Sequence, residues 1–87
     1  MLAEIEHLAS LLFSMDEIVI LTNNKSLSEK FIIQSSDEYN SYYRGYLSTI
    51  KIIRNEIIES AKQGSPAAQK ELIGIISKIE IQNKRHG

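Results

Sequence analysis

The sequence predicts an all-α fold in which short N-terminal helices pack on one long helix, and the long helix forms an antiparallel hairpin with the C-terminal helix. Three observations predict it. Apolar residues recur at three- and four-residue steps through the middle of the chain. Ser14 and Ser35 are each followed three residues later by glutamate, the spacing of a capping box at a helix start. Gly64 and Pro66 stand where one helix should end and the next begin.

Two short helices are expected at the N-terminus. Apolar residues at helical spacing predict a first helix that ends near Phe13. Ser14 and Glu17 then form a capping box, and Phe13 and Ile18 have the spacing of a hydrophobic staple, so a second helix should cover residues 15–22. The β-branched residues in this segment would also suit a strand, but the cap and the staple favour a helix.

A third helix is expected after the turn formers Asn23 and Asn24, over about residues 27–34, with Leu27, Phe31 and Ile32 turned inward. The second and third helices have the spacing of a helix-turn-helix, whose second helix enters the major groove of DNA. Ordinary helix packing explains the same spacing. On the first interpretation, the contacts to DNA would come from Lys25, Ser28, Lys30 and Gln34.

The long helix is predicted between the capping box of Ser35 and Glu38 and the terminator Gly64. Its apolar residues cover roughly 160° of arc, which is wider than one neighbouring helix covers. We therefore expect two packing partners, from this chain or from another copy. The tyrosines could instead pack the second and third helices onto the long one. The expected oligomer interface comprises Tyr39, Tyr43, Tyr46, Ile50, Ile53 and Ile57.

Basic side chains are distributed unevenly. The formal net charge is −1, yet residues 1–24 carry four acidic side chains and no lysine or arginine. On the long helix, Arg44, Lys51 and Lys62 fall within roughly 20° of one another at 100° per residue. Such a row could follow a phosphate backbone, with Arg44 and Lys51 as further DNA contacts, or it could be a solvated surface.

The last helix is predicted from Pro66 to about Ile81, with Ser65 as its cap. The connection at Gly64 is too short for anything but an antiparallel turn. We expect one domain over residues 1–87, with a helix-turn-helix part (1–36), a helical hairpin (37–82) and a frayed basic tail (83–87). The residues expected to be buried by the last helix are Ala68, Leu72, Ile75, Ile76 and Ile79.

Several classes of function find no support in the sequence. There is no cysteine, no glycine-rich phosphate loop and no serine with a credible base partner. Glu4 and His7 have the Glu-x-x-His spacing of di-iron bundles but lack the other ligands of such a site. We therefore expect no enzyme, no metal and no cofactor. The chain has no basic leader and no apolar run long enough to span a bilayer, so a cytoplasmic protein without a membrane partner is expected.

Three segments resemble small phage or prophage proteins of the terminase small-subunit type: Ser14-Met15-Asp16-Glu17-Ile18, Tyr42-Tyr43-Arg44-Gly45, and the run from Ile57 to Lys70. The resemblance implies an N-terminal helix-turn-helix that recognises packaging-site DNA. It also implies a helical hairpin that assembles subunits into a ring and passes DNA to a motor subunit. The spacing of Ala61, Gly64, Ala68 and Leu72 also resembles one Sel1-type helical repeat, and close helix packing explains it in either family.

Two functional hypotheses follow. The first is a phage-derived protein that binds duplex DNA and assembles into a homo-oligomer through its long helix, with a phage motor subunit as a further partner. The second is a non-catalytic protein-interaction or adaptor module with the same fold and no DNA binding, which would bind through an apolar groove between the long helix and the second and third helices.

Overall fold

The fold is all-α, as predicted. A computed structural model describes residues 1–86, and none of these residues lies in a β-strand. Five helices follow one another along the chain: α1 (Leu2–Ser10), α2 (Met15–Thr22), α3 (Leu27–Lys30), α4 (Asp37–Lys62) and α5 (Pro66–His86). The long helix α4 packs against the N-terminal helices with its first part and against α5 with its last part.

The chain divides into two compact units, and the boundary lies inside α4. The first unit comprises Met1–Lys51, and the second runs from Ile52 to the end of the described residues. The sequence predicts one domain over residues 1–87, with parts at 1–36, 37–82 and 83–87.

The capping box at the start of α2 is confirmed. The Ser14 backbone N–H donates to Glu17 Oε1 (2.8 Å), and the Glu17 N–H donates to Ser14 Oγ (3.1 Å). The predicted range of α2 is also confirmed. The first helix, however, ends at Ser10 and not near Phe13, because Leu12 has a φ of 68°, which a helix cannot accommodate.

The third helix is a single turn and ends at Lys30, so the prediction that it reaches Gln34 is wrong. After Phe31 the backbone hydrogen bonds tighten to three-residue spacing, with Ile32 N–H to Glu29 O and Ile33 N–H to Lys30 O. Leu27 and Phe31 are buried as expected. Ile32 was expected to face inward but is 80% exposed.

The core of the first unit joins α1, α2, α3 and α4. It is formed by the buried side chains of Ile5, Ala9, Ile18, Leu27, Phe31 and Tyr42. The hydroxyl of Tyr42 donates to the Phe13 carbonyl oxygen (3.1 Å), and Thr49 Oγ1 donates to the Ser10 carbonyl oxygen (2.5 Å). These two bonds attach α4 to the chain at and after the end of α1.

The N-cap of helix α4 lies one residue later than predicted. Ser36, and not Ser35, accepts the Tyr39 backbone N–H on its Oγ (3.0 Å). The predicted end is confirmed, because α4 ends at Lys62 and Gly64, two residues later, adopts a φ of 96°.

The second unit is an antiparallel hairpin of the last part of α4 and α5. Ser65 caps α5 by accepting the Ala68 N–H (3.3 Å), and Gln69 Nε2 donates to the Ala61 carbonyl oxygen (3.1 Å). Helix α5 continues to His86, so the expected frayed tail is wrong for residues 83–86, and Gly87 lies outside the described residues. Ile76, which was expected to be buried, is 47% exposed.

Candidate interaction surfaces

The side chains expected to contact DNA lie around the single turn of α3. Lys25 is exposed in the turn before it, and Ser28 Oγ donates to the Lys25 carbonyl oxygen (2.8 Å). Lys30 is exposed at the end of α3, and Gln34 is exposed in the segment after it. All four side chains are therefore on the surface. Ser28 and Lys30 lie in α3 and Lys25 precedes it, as expected, but Gln34 lies beyond the end of the helix that was expected to present it.

The two further residues of the expected DNA surface, Arg44 and Lys51, are exposed on α4. The Arg44 guanidinium pairs with the Glu6 carboxylate at 3.3 Å, so part of its charge is neutralised within the chain. All six expected DNA contacts belong to the first unit, which carries four basic and seven acidic side chains and hence a formal charge of −3. A net acidic unit repels a polyanion at long range.

The tyrosines at the start of α4 form one aromatic cluster. The ring of Tyr42 meets Phe31 edge-on at 5.9 Å and stacks over Tyr46 at 6.0 Å, and Tyr39 lies 4.8 Å from Tyr43. Such contacts add to the stability gained from burial alone. Tyr42 is buried, Tyr39 and Tyr46 are half-buried and Tyr43 is 37% exposed. Much of this expected oligomer interface therefore packs within the first unit.

Burial raises the pKa of the Tyr42 hydroxyl, and the nearby Tyr43, Tyr46 and Glu17 raise it further. The pKa of Tyr43 is raised by burial and then by Tyr39, through charge and a side-chain hydrogen bond, and by Tyr46. The Tyr42 and Tyr43 hydroxyls therefore remain neutral at physiological pH.

The three isoleucines of the expected oligomer interface differ in exposure. Ile50 and Ile57 are half-buried, and Ile53 is 37% exposed. Ile57 and Ile53 lie on the α4 part of the hairpin, where Ala61 is the buried residue. The inner side of α5 is formed by four half-buried side chains: Ala68, Leu72, Ile75 and Ile79.

One side of the hairpin combines charged and apolar side chains. Two shallow grooves run between the helices there, one lined by residues that include Arg54, Glu71 and Lys78, the other by residues that include Ile53 and Glu71. The charged side chains along these grooves interact favourably with water.

The opposite side of the hairpin carries several exposed apolar side chains. Ile58 follows Ile53 by five residues and Ile76 follows Glu71 by five residues, which is a rotation of about 140° away from the grooves. Ile58 is 37% exposed and Ile76 is 47% exposed. With the adjacent Leu72 and Ile73 they form a surface that we call the isoleucine face: Ile58, Leu72, Ile73 and Ile76.

The isoleucine face was not identified from the sequence. No role was predicted for Ile73, and Ile76 was predicted to be buried. The width of the apolar arc on α5 indicates this surface. Helix α4 covers only one side of α5, whereas the apolar positions 72, 73, 75, 76 and 79 span more than one side.

Within residues 1–86, no three His, Asp or Glu side chains are grouped so that they could hold a metal ion. Across the same part of the chain, every helix is too short or too polar to cross a bilayer.

The chain was compared with known protein families, with curated proteins and with solved structures, and none of them matches it. The function of this chain is therefore inferred from its surfaces.

Proposed function

We propose that this protein is a non-catalytic interaction module that binds another protein chain through the isoleucine face of its C-terminal hairpin. This is the second of the two hypotheses raised by the sequence, with a specific surface assigned to it. The observation that carries it is the exposure of Ile73 (66%) and Ile76 (47%) beside the half-buried Leu72. Contiguous exposed apolar side chains on a small protein typically mark a binding surface.

The two units have different roles in this proposal. The first unit holds six buried core residues, including the large side chains of Ile5 and Ile18, and acts as the folded support. In the hairpin, Ala61 is buried among the described residues, and Ile58, Ile73 and Ile76 remain exposed and available for a partner. Helices that present apolar side chains at i, i+3 and i+4 commonly bind other helices. A cytoplasmic location, expected from the absence of cysteine, remains part of the proposal.

Lysine cross-linking followed by mass spectrometry tests the proposal in cells that naturally contain the protein. Lys62, Lys70 and Lys78 of the hairpin should cross-link to another protein chain more strongly than Lys25 and Lys30 of the first unit. The partner chain can be of any identity in this test.

A matched pair of variants tests the surface itself. Ile73→Glu/Ile76→Glu should remove the hairpin cross-links, and Ile52→Glu should leave them unchanged, because Ile52 is 61% exposed but lies about 120° from Ile58 around α4. Equal cross-linking in both variants would contradict the proposal.

Duplex DNA is a second candidate ligand. It is favoured by the exposure of Lys25, Lys30 and Gln34 in one continuous segment around α3. Binding should weaken steeply with salt, and Lys25→Ala/Lys30→Ala should reduce the slope of log K against log [salt] by about 2. Failure to bind duplex DNA at low salt would exclude this candidate, together with the phage packaging role and the motor-subunit partner.

A further inference from the structure

The start of α1 and the first turns of α4 border a groove on the first unit that the proposed function does not use. The groove has a volume of about 420 Å³, which is within the range of roughly 300–1,000 Å³ that is typical of small-molecule sites. We propose that this groove binds the primary ammonium group of a ligand with a short apolar chain. The groove belongs to the first unit and the isoleucine face to the second, so neither proposal depends on the other.

Three side chains with oxygen acceptors line the groove from the same side of α4: Asp37, Asn40 and Ser41. Positions i, i+3 and i+4 of a helix are neighbours on its surface. The Asn40 amide nitrogen donates to the Ser36 carbonyl oxygen (3.1 Å), so the Asn40 amide oxygen is available to accept from a ligand. A primary ammonium group has three N–H donors and no acceptor, and it therefore matches a set of three oxygens.

The buried position of Ser41 favours a ligand in the groove. Ser41 is only 4% exposed, and yet it lines the groove. Its hydroxyl forms no hydrogen bond to another residue within 1–86, and no fully buried side-chain oxygen in that range lacks a partner, so the hydroxyl oxygen is open to the groove. A polar group on so buried a residue is ordinarily hydrogen-bonded, and an ammonium ion would supply the donor.

The charges around the groove favour a cation. The Arg44 guanidinium also lines the groove, but it pairs with the Glu6 carboxylate at 3.3 Å, and these two charges offset each other. Asp37 forms no ion pair within residues 1–86, so one negative charge remains at the groove. The formal charge of −3 on the first unit attracts a cation at long range.

Apolar and aromatic side chains form the rest of the groove. Leu2 and Leu47 line it and are both exposed, so they can cover the methylene groups of a ligand. The ring of Tyr43 also lines it, and the face of an aromatic ring attracts an ammonium ion. The ligand class is therefore an alkylammonium ion, which either a free amine or the lysine side chain of a peptide can supply.

NMR titration of the full chain with n-hexylammonium tests the proposal. We expect the backbone amide signals of residues 37–47 to shift in a saturable way, while those around Ala61 do not change. Hexyltrimethylammonium has the same charge but no N–H donor, so it should bind about 10-fold more weakly or worse. Equal affinity for the two ions would overturn the proposal, as would the absence of saturable binding at about 50 mM hexylammonium.

The two sources of the ammonium group are distinguished by a parallel titration with Nα-acetyl-lysine amide. Binding of both probes at residues 37–47 would support the proposal with a lysine side chain as a ligand. Binding of hexylammonium alone would support it with free amines as the ligand.

A pair of acidic variants locates the site. Asp37→Asn should weaken hexylammonium binding by about 10-fold or more, because a charge-assisted hydrogen bond is lost. Glu38→Gln removes the same charge one residue away, about 100° around α4 and outside the groove, so it should bind like the unchanged protein. Ser41→Ala keeps every charge and should weaken binding by about 3- to 10-fold. Circular dichroism should show the same helical signal in all three variants, and equal binding by Asp37→Asn and Glu38→Gln would overturn the proposal.

Discussion

Gly45 of α4 lies directly against the backbone of Glu6 in α1. A Cβ atom placed on Gly45 would lie 2.8 Å from the Glu6 carbonyl carbon and closer still to its oxygen. Only glycine allows this approach, because the obstructing atoms belong to the backbone of a helix and cannot rotate away. The contact brings α1 close enough to α4 for Ile5 and Ala9 to be fully buried.

Gly45→Ala should therefore destabilise the protein by about 2 kcal/mol or more, although alanine gains about 1 kcal/mol of helix propensity over glycine. Gly74→Ala is the matched control. It is also in a helix, and nothing lies within 4 Å of its added Cβ, so it should stabilise by roughly 0.5–1 kcal/mol. Chemical denaturation followed by circular dichroism measures both values. A neutral Gly45→Ala would show that α1 does not approach α4 this closely.

The turn between α1 and α2 stores backbone strain at Leu12. Its φ of 68° lies in the left-handed region, which costs a leucine roughly 1–2 kcal/mol. Because the side chain is 45% exposed, Leu12→Asn should stabilise the protein by about 1 kcal/mol.

Asn23 provides the converse test at the C-terminus of α2. It adopts a φ of 52°, and Asn23→Leu should cost about 1 kcal/mol. Thermal melts of the two variants should shift in opposite directions. A shift of the melting temperature in the same direction for both variants would contradict the conclusion that the backbone is strained at Leu12.

Tyr42 should make the first unit sensitive to alkaline pH. Its folded-state pKa is raised above 10.0, mainly by burial, so the folded state holds the phenolic proton more tightly than the unfolded state. The stabilisation is complete below pH 10 and is lost as the pH rises through the folded-state pKa. Urea denaturation between pH 8 and 11 should show stability falling above about pH 10.

The variant Tyr42→Phe separates this effect from the titration of lysines. It should cost about 1 kcal/mol at pH 8, because the Phe13 carbonyl oxygen loses its donor. Its stability should then fall less steeply with pH than that of the unchanged protein. Parallel pH profiles for the two proteins would count against Tyr42 as the titrating group.

The two adjacent serines before α4 can be distinguished by alanine substitution. Ser36 accepts the Tyr39 N–H and donates from its hydroxyl to the Lys30 carbonyl oxygen (2.7 Å), so Ser36→Ala should cost about 1–2 kcal/mol. Ser35→Ala should change stability by less than about 0.5 kcal/mol. Denaturant midpoints give both values. A larger effect at Ser35 would indicate that Ser35 caps α4, as the sequence predicts.

The elements with a strong local signal could be predicted from the sequence. The box of Ser14 and Glu17 defines the start of α2, and Gly64 defines the end of α4, because each feature acts through its immediate neighbours. Which of Ser35 and Ser36 caps α4 could not be predicted from the sequence, since the cap depends on a hydrogen bond from the Ser36 hydroxyl to the Lys30 carbonyl oxygen.

The surfaces were harder to predict than the helices. Helical spacing placed Ile32 and Ile76 inside, but burial depends on whether another element covers that side of the helix. The segment after α3 turns away from helical geometry at Ile32, and α4 covers only the inner side of α5. Both isoleucines are therefore exposed. The isoleucine face combines residues of both helices of the hairpin, so it could not be predicted from either helix alone.

The central claim is that another protein chain covers the isoleucine face of the hairpin. Lysine cross-linking with mass spectrometry, in cells that naturally contain the protein, tests it most directly when the unchanged protein is compared with Ile73→Glu/Ile76→Glu and with Ile52→Glu. We predict that cross-links from the hairpin lysines to another protein chain are lost in Ile73→Glu/Ile76→Glu and persist in Ile52→Glu, because Ile52 lies about 120° from Ile58 around α4. Equal cross-linking in the two variants would contradict the account.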